Sequence, residues 1–347
     1  MIDVSKYLLD CRATVLDALR GLNSLSGAGM TLFVIDDEQV VKGTLTDGDI
    51  RRCFLHGGQL SDRVENVMNK SFSALRFEDT NPVECCRKFR NKGINVIPVL
   101  DAKGHVADVL DLHKQCSLLP VDAVIMAGGK GERLRPLTLT IPKPLLKVGD
   151  KAIIDTNVDR LIWYGVKHIA VTVNYLKDQL IDHFSLPRNG VEVKCYSECD
   201  YMGTMGAVKM VDQFHNDTIL VMNSDLYTNI DYEDMYLYFC HSGADMLVAA
   251  VPYVVSIPFG ICDLDDDEIK GVVEKPTYNY YANAGIYMMK RDVLSLIPQG
   301  KFYNATDLIS DLILAKKKVI RYPLNGTWID IGTKEDYQKA QDLAKQG

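Results

Sequence analysis

Residues 128–144 read GGKGERLRPLTLTIPKP and follow directly on an apolar segment, Val121–Ala127. A short, continuous apolar run ahead of turn residues reads as a buried strand. When such a strand opens into clustered glycines the choice of folds narrows, because ligand loops of this kind leave a sheet at the carboxyl ends of its strands. Gly128, Gly129 and Gly131 allow the backbone to approach a ligand and turn its N–H groups inward. Lys130, Arg133, Arg135 and Lys143 add positive charge at the same place. Together they suit a ligand with several phosphates. The run is not a Walker loop, which needs GxxxxGK followed by Ser or Thr. Nor is it a dinucleotide fingerprint, because Leu134 stands where the third glycine belongs. Pro136, Pro142 and Pro144 are expected to keep the loop extended for about ten residues or more.

The length of 347 residues suggests two domains. A net charge of −7 argues against nucleic acid as a partner, so the basic loop is a local feature of an acidic surface. No apolar run is long enough to span a bilayer and the N-terminus lacks a signal-peptide layout, which points to a cytoplasmic protein without a membrane partner. The nine cysteines are scattered, without a CxxC pair, and read as reduced thiols rather than zinc ligands or disulfides.

The first part of the chain carries a weak internal repeat. Val34-Ile35-Asp36 ahead of Val40-Val41 returns about 65 residues later as Val99-Leu100-Asp101 ahead of His105-Val106. Each copy follows a helical pattern (Val15, Leu16, Leu19, Leu22, then Val83, Cys86, Phe89) and is expected to run helix–strand–turn–strand–helix. The first copy closes with GTLTDGDIRR, residues 43–52. This resembles the tandem CBS module, and the resemblance implies that Thr46 and Asp49 hold a regulatory nucleotide through its ribose. The alternative is a packing and dimerisation module in which the same two residues cap a helix. In the second copy Asp111 and Lys114 replace them. CBS pairs associate face to face, which implies a homodimer or larger. The domains are placed at 1–118 and 119–347.

From Val121 onward strands are expected at 123–127, 169–174, 192–196, 219–223, 246–251 and 285–289. Helices are expected at 155–164, 176–184, 206–214 and 334–344. That alternation predicts an α/β fold with a doubly wound, mixed, Rossmann-like sheet beside the smaller α/β N-terminal domain.

Residues 121–342 resemble the sugar-1-phosphate nucleotidyltransferases, through GGKGERL, PKP, VMNSDL, VVEKP, NAGIY and TWIDIGT in that order. The resemblance implies attack of a sugar phosphate oxygen on the α-phosphorus of an NTP, with loss of pyrophosphate. Arg133 and Lys143 then act on the triphosphate, Arg133 at the leaving phosphates and Lys143 near the α-phosphate. Gly128, Gly129 and Gly131 offer N–H groups to it. Asp225 and Asp330 are the implied Mg²⁺ ligands, since two single carboxylates suit an ion that keeps most of its waters. Glu274 and Asn283 face sugar hydroxyls, Lys275 meets the sugar phosphate, and Gly260 gives a main-chain contact. ECDYMGTMG, residues 198–206, matches the segment that reads the base, with Gly203 and Thr204 at its centre. Members of the resembled family with this segment include guanylyltransferases for mannose- and heptose-type sugar phosphates, so the resemblance implies GTP as the favoured nucleotide, with Glu198 as an acceptor for the guanine N1–H and N2–H₂ edge. Uridylyl, thymidylyl and cytidylyl transfer, or a catalytically silent nucleotide sensor, stay open as alternatives, and the sugar is not specified.

Overall fold

A computed structural model describes residues 3–25, 30–76, 79 and 81–345. The chain divides into two compact units, Met1–Leu118 and Leu119–Gly347.

The first unit holds two similar three-stranded sheets. One runs β1 (Leu8–Asp10), α1 (Val15–Ser24), β2 (Thr31–Ile35), β3 (Val41–Thr46) and α2 (Asp47–Leu55), with β1 parallel and β3 antiparallel to β2. The other runs β4 (Leu75–Arg76), α3 (Pro82–Asn91), β5 (Val96–Leu100) and β6 (Val106–Asp111), paired in the same way. The repeat extends to a fault in register, which falls between Val34 and Ile35 in β2 and between Val99 and Leu100 in β5. Phe33, Ile35 and Val41 from one sheet share a core with Val96, Leu100 and Val109 from the other. The second copy departs from the expected pattern in having no closing helix. Thr46 caps α2 by accepting from the Asp49 N–H. At the matching position the Asp111 carboxylate instead accepts from the His113 N–H two residues on, at 3.0 Å, which favours a turn over a helix.

The second unit begins with β7 (Val121–Ala127), nearly all buried. The glycine loop follows, then a small hairpin of β8 (Lys147–Val148) and β9 (Lys151–Ala152), and α4 (Ile153–Trp163). β10 (His168–Val173), α5 (Lys177–His183), β11 (Val193–Ser197), α6 (Gly203–Val208) and β12 (Thr218–Asn223) complete the alternation. α6 lies three residues earlier than expected and stops at Val208. Gly203 starts it in the left-handed region (φ 73°), and the N–H groups of Met205 and Gly206 both donate to the Tyr303 carbonyl, which fixes the short helix in place. Next come β13 (Leu226–Thr228), α7 (Tyr232–Ser242), β14 (Met246–Ser256), β15 (Ile261–Asp265), β16 (Glu268–Val273) and β17 (Thr277–Lys290). The unit finishes with α8 (Ala305–Leu314), β18 (Val319–Pro323), β19 (Trp328–Asp330) and α9 (Lys334–Ala344).

The main sheet has the order β11-β10-β7-β12-β17-β14-β18. β11, β10, β7 and β12 are parallel, and β17 runs against β12 and β14. The sheet is therefore mixed. β10 and β11 add to one side of β7 and β12 to the other, so the winding reverses beside β7 and opens a crevice at the strands' carboxyl ends. α9 anchors the base of the glycine loop. Leu134, Leu146 and Val148 pack with Ile331 and Ala340, and Gln341 and Tyr337 donate to the Lys147 carbonyl at 2.7 and 2.6 Å.

Candidate active site

Three loops leaving β7, β11 and β12 line the crevice and bring Gly128, Gly129, Lys143, Glu198, Gly203, Thr204 and Asp225 around it. The glycine loop is not extended. It is a series of tight turns, with 3₁₀ turns at Glu132–Leu134 and Lys143–Leu145, because proline's fixed φ suits the first positions of turns as well as it suits extended chain. Gly131 reverses the chain at φ 61°, and a Cβ there would stand 3.1 Å from both Lys143 Cβ and Thr138 Cγ2. The Thr138 hydroxyl donates to the Gly131 carbonyl at 2.8 Å, and Tyr175 donates to the Thr138 carbonyl at 3.0 Å. The loop is thus closed on itself, with Lys143 under its glycines.

Asp225 and Asp330 meet because β13 and β19 pair antiparallel, with Leu226 opposite Asp330. The Ile331 N–H donates to the Asp225 carbonyl at 3.1 Å. Lys143 Nζ donates to Asp225 Oδ2 and lies 4.0 Å from Asp330 Oδ1. Arg133 reaches the same corner, since a Cβ on Gly332 would come within 3.0 Å of its Nη2. Burial, and then the Asp225 charge, push the Asp330 carboxyl above its ordinary value, while Lys143 and Arg133 pull it back. Oδ1 of Asp225 and Oδ1 of Asp330 are buried acceptors without a hydrogen-bond donor. Two hard oxygens in that state, one on each carboxylate, fit a divalent cation such as Mg²⁺.

On the opposite side Glu198 is only 4% exposed. Its Oε2 accepts from the Met202 N–H at 3.0 Å, and its Oε1 stands where a Cβ on Gly128 would fall, 2.4 Å away. Burial raises its carboxyl and the Met202 N–H partly offsets this. Gly203 packs on the backbone of Tyr303, and Thr204 Oγ1 accepts from the Ala305 N–H at 2.7 Å, so Thr204 also holds the start of α8.

The C-terminal unit, residues 122–347, matches the Nucleotidyl transferase family. The chain belongs to that family. Among relatives, it is 30% identical over 238 residues to the mannose-1-phosphate guanylyltransferase of Mycobacterium tuberculosis, covering 65% of each protein. It is 32% identical over 229 residues to the bifunctional protein GlmU of Methanocaldococcus jannaschii, covering 63% of this chain and 53% of that one. The chain spans less than two thirds of the length of these relatives. Among solved structures, HddC from Yersinia pseudotuberculosis superposes with a TM-score of 0.52 at 26% identity, over 64% of this chain and 99% of that one. The same protein complexed with GMP-PN gives 0.51.

The remaining residues expected at the site from the sequence separate into two groups. Asn283 is engaged internally, its Oδ1 accepting from the Gly285 N–H at 3.0 Å and its Nδ2 donating to the Tyr287 hydroxyl at 2.9 Å. Gly285 (φ 71°) leaves room for the Asn223 side chain, whose Nδ2 would lie 2.5 Å from a Cβ. Gly260 and Glu274 neighbour each other, with 3.0 Å between an ideal Gly260 Cβ and Glu274 Oε2. They and Lys275 are exposed and are not among the residues lining the crevice.

Two residues at this site escape sequence reasoning. Tyr201 lines the crevice and packs on Phe302, with ring centroids 5.9 Å apart. Asn157 of α4 is 1% exposed, and its Nδ2 donates to the Leu226 carbonyl at 3.0 Å and the Ser224 carbonyl at 3.4 Å, bracketing Asp225. Its position on the face of Ile153, Ile154, Val158 and Leu161 was the available signal, since a polar residue there must find buried partners.

In the N-terminal unit Thr46 and Asp49 bond to each other, Thr46 Oγ1 donating to Asp49 Oδ2 at 2.6 Å, and Arg52 pairs with Asp49 Oδ1 at 2.6 Å. Thr14 and Asp17 form the same cap on α1, and Thr333 and Asp336 on α9. A shallow hollow lies beside Asp49, lined by Arg52, His56 and Asn66 among others. Among the described residues no helix is long and apolar enough to cross a membrane.

Proposed function

We propose that this chain is a cytosolic enzyme that transfers a nucleotidyl group, guanylyl by preference, from an NTP to a sugar 1-phosphate. The observation that carries this is the convergence of Lys143, Arg133, Asp225 and Asp330 at the mouth of a glycine loop. In the reaction a sugar phosphate oxygen bonds to the α-phosphorus as the bond to the bridging oxygen breaks, and pyrophosphate leaves. Backbone N–H groups of Gly128, Gly129 and Gly131 hold the triphosphate, Arg133 the departing phosphates, and Lys143 the charge developing at the α-phosphate. Asp225 and Asp330 would hold Mg²⁺, which when bound neutralises phosphate charge and orients the two phosphates. Glu198, which lines the crevice, is assigned as the acceptor for a base that presents N–H donors, which favours guanine. The guanylyltransferase and the GMP-PN complex among the similar proteins support the same choice. Gly260, Glu274, Lys275 and Asn283 are assigned to the sugar phosphate, with Asn283 required to exchange internal partners for sugar hydroxyls.

For the N-terminal unit the reading is a tandem CBS module that associates with its own kind, with a regulatory nucleotide in the hollow beside Asp49. Thr46 and Asp49 would have to release each other to contact it.

A matrix of four NTPs against several sugar 1-phosphates, read as pyrophosphate release, tests the enzyme reading. Turnover with GTP that is absent in Lys143→Ala is the expected result. No release from any pair would leave the silent nucleotide sensor as the better account.

A further inference from the structure

Thr172 stands near the end of β10 and is wholly buried, yet its hydroxyl has no hydrogen-bond partner among the described residues. A buried hydroxyl in that state costs stability, and in a native protein it calls for a reason. The core supplies none. Val171 and Val173 on either side are equally buried, and a valine at 172 would fill the same shape with no polar group to satisfy. The site does supply one, because Thr172 lines the active-site crevice together with Met126, its partner in register on β7.

Glu198 meets it there. In the main sheet β10 lies between β11 and β7. Glu198 follows β11, and its N–H donates to the Val173 carbonyl at 2.8 Å. Its Oε1 lies 2.4 Å from the place a Cβ on Gly128 would take, just beyond β7. The Glu198 side chain therefore crosses the end of the strand that carries Thr172. The two groups are complementary, since an ionised carboxylate only accepts and a threonine hydroxyl can donate. A donor beside an acceptor matches a base that sets a carbonyl next to an N–H. Guanine does so with O6 and N1–H, and uracil with O4 and N3–H. Adenine and cytosine set an amino group next to an unprotonated ring nitrogen, which Glu198 would face acceptor to acceptor.

We propose that the Thr172 hydroxyl is a specificity-determining donor, unpaired in the free chain and bonded to the base carbonyl when Glu198 takes the neighbouring N–H. The proposal rests on the nucleotidyl transfer inferred above. It makes the pair a filter for keto bases against amino bases, and leaves the guanine N2–H₂ group, taken by Glu198, to separate guanine from uracil. Thr172 is covered in the free chain, so the base must shift the side chains above it, Glu198 included.

The test titrates the full chain with nucleotides in a calorimeter, without sugar phosphate so that nothing turns over, and melts the free chain in parallel. Thr172→Val keeps the shape and removes the hydroxyl. It is expected to melt about 2 °C or more above the wild type, because the unmet group is gone. It should also bind GTP and ITP about tenfold or more weakly. Inorganic tripolyphosphate, which has no base, should bind both proteins alike. Thr172→Ser keeps the hydroxyl and should hold GTP within about threefold of wild type, even where the lost methyl lowers the melting point. A lower melting point for Thr172→Val would show the hydroxyl already paired in the free chain and overturn the proposal. Unchanged GTP affinity does the same, as does a loss shared by tripolyphosphate. A loss for GTP that spares ITP removes the contact with the carbonyl, since ITP lacks only the amino group of guanine. Normal GTP binding in both variants would sink this assignment and leave the enzyme reading standing, whereas a wild type that binds no NTP and releases no pyrophosphate defeats both.

Discussion

Gly128→Ala is the substitution whose cost follows most directly from the geometry. The added Cβ would stand 2.4 Å from Glu198 Oε1 and 3.3 Å from both Glu198 Cδ and Asn174 Cβ, where ordinary contacts begin at 3.4 Å. The carboxylate must retreat by about 1 Å, and it has nowhere easy to go. Glu198 is 4% exposed and its Oε2 holds the Met202 N–H, so retreat loosens that bond as well. Overpacking of this kind costs about 1–3 kcal/mol. A central value of ~2 kcal/mol lowers the melting temperature of a unit this size by roughly 4–8 °C. Calorimetric melting of the full chain, with GTP titration of each variant, reads both the strain and the displaced carboxylate. The decisive comparison is the same substitution in a Glu198→Ser background, where the shortened side chain removes the clash. There the penalty should fall below about 0.5 kcal/mol, a coupling of at least ~1 kcal/mol between the two positions. An equal penalty in both backgrounds would refute the argument and return Gly128 to the role of giving a ligand close approach.

Three further outcomes are expected. Lys143→Met removes the cation that separates Asp225 from Asp330, and pyrophosphate release should fall by about 10²–10³; a rate within about threefold of wild type would count against its placement at the reacting phosphate. Asp330 holds its proton more tightly in the folded chain than in the unfolded one, so its ionisation costs stability at neutral pH. That cost disappears as pH falls through the folded pKa into the ordinary aspartate range. In chelator Asp330→Asn should thus melt above wild type at neutral pH, the gap closing on acidification, and added Mg²⁺ should raise the melting point of the wild type alone. Asn157→Leu removes the bracket around Asp225, at about 1–2 kcal/mol of stability. Its kcat should fall about tenfold with half-saturating Mg²⁺ shifted upward and GTP affinity unchanged. Lost stability with normal Mg²⁺ dependence would make Asn157 a structural brace only.

The alternation of strands and helices in residues 119–347 was legible because buried parallel strands are near-continuous apolar runs, and β7, β10 and β12 come close to that. The outer halves of β14 and β17 were not, since their solvated residues carry no burial pattern. The loop's prolines misled for a local reason: one φ value serves extended chain and turn alike, and only Gly131's reversal decides between them. Thr46 and Asp49 show a deeper ambiguity, as a helix cap and a ribose contact use the same two side chains. The chain's own Thr14–Asp17 and Thr333–Asp336 caps show how readily Thr-x-x-Asp closes on itself. Asn157 carried no motif, and Tyr201 was not singled out within residues 198–206, because their importance lies in which backbone or ring they meet across the fold.

The β13–β19 ribbon has a consequence for how the site is held together. One acid of the pair lies on each strand, far apart along the chain, and the second is carried in just ahead of α9, which must itself dock under the glycine loop. The same C-terminal segment that brings Asp330 beside Asp225 also braces the base of the glycine loop, so the carboxylate pair and the loop's support are completed together.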